Sequence, residues 1–148
     1  MKKLNSLILF SCVVTFLFLF SACQRNIPAK NEALAIKHLN EITSAQMQYS
    51  INKGSGNFTD LATLGQEGLL DTTLSAGEKD GYIFHVVTFE RTKNMPAMLD
   101  ATATPKSKVS GGRSFYTNEI YIIWEQAGEN PPSATTTDRI PKNGEPIQ

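Results

Sequence analysis

The sequence predicts an α+β domain in which one long helix near the N-terminus packs on a small antiparallel sheet. Three observations predict it. Apolar residues recur at steps of three and four between Ala29 and Ile51, the period changes to two from Tyr82 onward, and every helical segment precedes the strands. With no helices interleaved between the strands, there are no crossovers to build a parallel sheet.

The chain of 148 residues opens with Lys2 and Lys3, and an apolar run from Leu7 closes on Leu19-Phe20-Ser21-Ala22-Cys23. A basic start, an apolar segment and small residues before a cut site make a secretory signal. The closing residues resemble the bacterial lipobox. The resemblance implies cleavage between Ala22 and Cys23, acylation of Cys23 with chains such as palmitate, and attachment of the mature chain to a membrane through that lipid. The family usually has Leu three residues before the Cys; this chain has Phe20 there, with Leu19 one step further out, and a bulky apolar residue can fill the role. The alternative is an uncleaved membrane helix from Leu7 to Ala22, shorter than the ~20 apolar residues that span a bilayer. Residues 1–22 are read as the signal peptide and residues 23–28 as a lipidated polar tether stopped by Pro28. Gln24, where inner-membrane sorting uses Asp, resembles an outer-membrane address, so the expected location is the bacterial cell envelope, on the outer membrane facing the periplasm.

Basic and acidic side chains number 14 each, and losing Lys2 and Lys3 with the signal tips the balance to acidic. Such a surface offers no electrostatic reason to bind nucleic acid or to lie flat on anionic lipid. Of the two cysteines, Cys12 lies in the signal and Cys23 is expected to carry lipid. An exported address therefore goes with no disulfide framework and no thiol metal site.

From Ala29 to Ile51, the residues Ala35, Leu39, Ile42, Ala45 and Tyr49 form one apolar stripe, with Lys37, Asn40, Glu41, Ser44 and Gln48 opposite. The stripe is narrow and rich in small residues, which suits packing against a sheet. Gly54-Ser55-Gly56 ends the helix. In Phe58–Gly65, Thr59 or Asp60 caps a helix of about one turn and Gly65 stops it. Asp71–Gly77 reads as an ordered loop.

Tyr82–Phe89, rich in β-branched and aromatic residues, is the strongest strand, and its two largely apolar faces predict a central position with the helix on one side and loops on the other. Met98–Thr104 forms the second strand, ended by Pro105, and Arg113–Thr117 the third. A turn at Asn118-Glu119 leads to the fourth, Ile120–Trp124. Residues 128–148, with few large apolar side chains, read as a flexible polar tail that cannot offset its ordering entropy.

Residues Asn31–Ala33, Ala45, Gln46 and Tyr49 on a long helix, then Phe58–Gly65, Gly68–Asp71, Gly81–Phe84, Ala101–Pro105 and Gly112–Asn118 in that order, resemble the globular domain of type IV pilins and pseudopilins. The likeness covers about Asn31 to Trp124 and implies a pilin-like head over residues 29–127. The pilin processing site and apolar helix half are missing, since the apolar segment ends in the lipobox instead. The implied protein carries a lipid in place of the filament-forming stalk and does not polymerise by the pilin route.

Catalytic signals are sparse. His38 reads as a surface or boundary residue and His85 as a partly buried one with a hydrogen-bond partner. No Gly-x-Ser-x-Gly elbow, His-Glu-x-x-His motif or phosphate loop occurs. Glu125, Glu129 and Asp138 lack the dense spacing of a calcium loop. Tyr82, Phe84, Phe89, Phe115, Tyr116, Tyr121 and Trp124 are expected to build the core, with Trp124 part exposed as a candidate partner contact. The expectation is a non-catalytic, lipid-anchored envelope protein without cofactor or metal that binds an envelope protein partner beside a pilus or secretion assembly. The alternative is a small envelope lipoprotein that binds a ligand or peptide.

Overall fold

The structure, a computed structural model, describes residues 26 to 147. The signal segment, Ala22, Cys23 and Gln24 lie outside the described residues.

Helix α1 spans Asn26–Asn52. It begins earlier than the polar tether predicted, and Pro28 falls in its first turn, where its missing N–H breaks no helical bond. Ala35, Leu39, Ile42 and Ala45 are buried on one side, while Lys30, Lys37, Asn40, Ser44 and Gln48 face solvent. The helix closes where Lys53 and Gly54 both donate to Tyr49 O at 2.8 Å. The fully buried Gln46 holds the following loop, donating to Thr59 O and accepting from Thr59 N at 2.9 Å.

Two short helices follow, α2 at Leu61–Gln66 and α3 at Thr72–Ser75. Asp60 caps α2 by accepting from Thr63 N at 2.7 Å. Asp71 caps α3 by accepting from Thr73 N and Leu74 N at 3.0 and 3.1 Å, which turns the expected loop into a helical turn.

The sheet is a six-stranded antiparallel meander in sequence order: β1 Glu78–Lys79, β2 Tyr82–Phe89, β3 Met98–Pro105, β4 Arg113–Asn118, β5 Trp124–Ala127 and β6 Glu145–Pro146. Asp80 and Gly81 join β1 to β2 with φ of 48° and 80°, the left-handed pair of a tight hairpin turn. Helix α1 lies over β3 and β4. The core between them holds Ala35, Leu39 and Ile42 of the helix with Tyr82, Phe84, Leu99, Ala101, Ala103 and Phe115 of the sheet, joined by Leu74 and Ile123. Small residues on both sides, Ala35 against Ala101 and Ala103, let the backbones approach closely. The α+β class is thus the one expected.

Three local expectations are corrected. Residues 128–147 are not a loose tail: Pro132 is fully buried, β6 adds to the sheet edge, and Ile147 N donates to Ile123 O at 2.8 Å. Ion pairs and backbone bonds to the sheet order this strap, which its own side chains lack the apolar area to do. The fourth long strand begins at Trp124, because Ile120–Ile123 forms a loop. Finally, the outer face of β2 stays open, with Ile83, His85 and Val87 exposed, because the strap turns towards β3, β4 and β5.

Candidate functional site

The end of α1 farthest from Asn26 carries the most unusual surface. Asn118 Oδ1 accepts from Ile120 N at 3.1 Å, and Tyr121 N donates to Asn118 O at 3.0 Å. The buried Asn118 amide also donates to Tyr116 Oη at 3.1 Å and Arg139 O at 2.7 Å, so the turn is held from beneath. This forces Tyr121 to a φ of 61°, a left-handed conformation that costs a non-glycine residue roughly 1–2 kcal/mol. Its hydroxyl then reaches Met47 Sδ at 3.7 Å.

The consequence is an apolar surface built from two elements. Met47 on α1 meets Tyr121 of the loop. Ile51, one turn further along the helix, and Ile120 and Ile122, which flank Tyr121 in the chain, are exposed as well, and across the five, exposure runs from 39% at Tyr121 to 72% at Ile51. Exposed apolar side chains gathered where two elements meet are the kind of surface that marks interaction sites on monomers. Burial pushes the Tyr121 hydroxyl pKa up, and the charge of Glu119 adds to it, so the phenol stays neutral.

Trp124, the sequence-predicted contact, is only 5% exposed and therefore unavailable. Its ring centroid lies 6.1 Å from that of Tyr116, and its backbone pairs with Pro146 of β6. The exposed aromatic is Tyr121, three residues earlier. The signal for it was present in Ile120–Ile123, a run of strong strand formers next to a turn-forming Asn118, but periodicity alone read the run as a strand.

The histidines exchange the environments expected of them. His38 is 2% exposed, with Nδ1 2.8 Å from Glu41 Oε2 and Nε2 2.8 Å from Asp80 Oδ2, and its ring meets Phe84 edge-on at 5.8 Å. A carboxylate at each nitrogen engages both polar positions of the His38 ring. Burial pushes the Glu41 pKa up, but hydrogen bonds from His38 and Lys37 outweigh it and hold the carboxyl below its usual range. His38 thus ties α1 to the β1–β2 turn. His85 lies on the open face of β2 opposite Thr102, exposed and without a hydrogen-bond partner among the described residues.

At the near end of α1, Arg113 joins helix and sheet through Glu32, at 2.8 and 3.0 Å, and Glu125, at 2.5 Å. A hollow of about 520 Å³ beside it is lined by Pro105, Lys108, Gly111, Gly112, Gly128 and Glu129. The Gly112 N–H there is already donated to Glu32 Oε1 at 2.8 Å. Among the described residues no group of three or more His, Cys, Asp or Glu side chains is placed to hold a metal ion, and no helix is long and apolar enough to cross a membrane.

No protein-family model, curated protein or solved structure matches the chain.

Proposed function

We propose that the protein is a lipid-anchored, non-catalytic component of the bacterial cell envelope whose pilin-like head binds another envelope protein, beside a type IV pilus or a type II secretion-like assembly. The apolar patch of Met47, Ile51, Ile120, Tyr121 and Ile122 carries this reading. The left-handed Tyr121 is held by the turn beneath it, and strain of that kind clusters at functional sites. The patch begins about 30 Å along α1 from Asn26, at a rise of 1.5 Å per residue. With the lipid on Cys23, just ahead of the helix, the patch faces away from the bilayer and towards other envelope proteins. A long helix laid over an antiparallel meander agrees with the pilin likeness, and its solvent-facing stripe, with Lys30, Lys37, Asn40 and Ser44, is too polar for a fibre seam.

The test is site-specific photo-crosslinking in a bacterium that processes lipoproteins, with the crosslinker at Ile122 and, as control, at Lys37. The reading requires a discrete adduct from Ile122 alone, lost when Tyr121→Gly is combined with it. Equal labelling at both positions sinks it. Intact mass of wild type beside Cys23→Ala tests the anchor separately: the acyl mass must vanish in the variant.

One observation favours peptide capture as the second reading. The two residues of β1 pair only with Tyr82 and Ile83, and Phe84 N donates to Gly77 O, so on the edge of β2 away from β3 the backbone of Val86 and Thr88 has no strand beside it among the described residues. An extended peptide can add there. Slowed amide exchange at Val86 and Thr88 in a complex would identify this mode.

A further inference from the structure

The near end of the domain combines exposed apolar tips with unpaired lysines beside the expected anchor. We propose that this end, formed by the first turns of α1 and the β3–β4 loop, rests on the phospholipid headgroup layer, with Val109 and Ile27 as apolar contacts and Lys30 and Lys108 towards lipid phosphates. This rests on the lipid anchor of the proposed function and adds an orientation and a second point of contact.

Chain length sets the distance. Cys23 stands three residues before Asn26, where α1 begins, and three residues span at most about 10 Å. Hydrogen bonds then hold the loop beside the helix start. Asn31 Nδ2 donates to Ser110 O at 3.0 Å, and Gly112 N donates to Glu32 Oε1 at 2.8 Å. Residues 31 and 32 lie only about 8 Å along the helix from Asn26. The loop is a closed turn, since Ser110 N and Gly111 N both donate to Ser107 O, at 2.9 and 3.3 Å.

Within that turn Val109 is 67% exposed, the second most exposed of the large apolar side chains after Ile51, and Ile27 on the first turn of α1 is 45% exposed. Lys30 and Lys108 form no ion pair among the described residues, whereas Lys106 is matched by Glu78 at 2.6 Å and Glu32 by Arg113 at 2.8 Å. Glu129, lining the same hollow as Lys108, offsets part of its charge. The local field is therefore weak. Two lysines near an anionic surface orient a chain already held by acyl groups but would not recruit a free one. That agrees with the near-neutral composition, which gave no reason for binding by charge alone.

Labelling exploits the cysteines. Once the signal is cut and Cys23 is acylated, Val109→Cys supplies a single thiol. The full processed chain is reconstituted in vesicles of phosphatidylethanolamine and phosphatidylglycerol, carrying an environment-sensitive fluorophore at position 109 or, in a second variant, Ile122→Cys at the far end. Nitroxide lipids labelled at the headgroup should quench the label at 109 about threefold or more over that at 122, because ~30 Å of helix separates the two ends. Equal quenching in a chain whose mass confirms acylation overturns the orientation and leaves the anchor standing. A chain with no acyl mass overturns both.

Discussion

Replacing Arg139 with alanine is expected to destabilise the domain by about 3 kcal/mol, because it leaves two part-buried carboxylates facing each other without a cation. The guanidinium donates to Glu119 at 2.6 and 2.8 Å, to Asp100 at 2.7 Å, to Leu99 O at 2.9 Å and to Thr135 O at 3.2 Å. The side chains of Asp100 and Glu119 are 21% and 19% exposed, so water relieves only part of the loss. Asp100 also accepts from Tyr116 Oη at 2.6 Å, which couples the strap to the aromatic pair beneath it. For a domain of this size the change corresponds to a fall in Tm of about 10 °C. Urea unfolding of the full chain gives the free energy, and limited proteolysis should show new cuts in residues 128–147. The effect has a defined pH window. Burial pushes the Glu119 pKa up, but hydrogen bonds from Arg139 and from the backbone N–H groups of Glu119 and Leu99 outweigh it and hold the carboxyl below its ordinary value. A lowered folded-state pKa contributes stability above the unfolded value and loses it as pH falls, so the gap between wild type and variant should narrow below about pH 4.3. A change under about 1 kcal/mol with an unaltered proteolytic pattern would refute the idea that Arg139 holds the strap.

Gly111→Ala should cost about 2 kcal/mol in urea unfolding, since its Cβ would run into the Tyr82 hydroxyl and sit 2.8 Å from Cζ, displacing a buried ring that donates to Arg113 O at 2.8 Å. Asp71→Ala should cost about 1 kcal/mol by the same measurement, because it removes the cap of α3 along with the ion pair to Lys79. Tyr121→Gly should raise Tm slightly, by relief of roughly 1 kcal/mol of left-handed strain, while abolishing the crosslink at the apolar patch. A variant that loses stability and keeps its crosslink would assign Tyr121 to packing.

Much of the candidate site lay in plain sight as composition and was hidden as geometry. Ile120–Ile123 has the β-branched and aromatic residues of a strand, and a local reading places it in the ladder. The structure withholds it because Asn118 spends its side chain on Ile120 N, Tyr116 Oη and Arg139 O, turning the chain before pairing can resume. One of those partners lies 21 residues away in sequence, beyond the reach of any periodicity. The same displacement starts β5 at Trp124 and buries the ring that was expected to greet a partner.

By itself the sequence determined the residues of α1 that share a buried face, the three long strands, a capped short helix after Asp60 and the α+β class, because side-chain period and cap chemistry act within a few residues of the chain. Tertiary structure alone decided which faces are covered. It buried His38 between Glu41 and Asp80, laid residues 128–147 against the sheet through Arg139, and left the outer face of β2 and the loop around Tyr121 open. The physical reason is range. Helix and strand patterns are written in neighbours, whereas a buried ion pair or an uncovered face depends on residues tens of positions apart, and on which of them arrives first with the matching charge or shape.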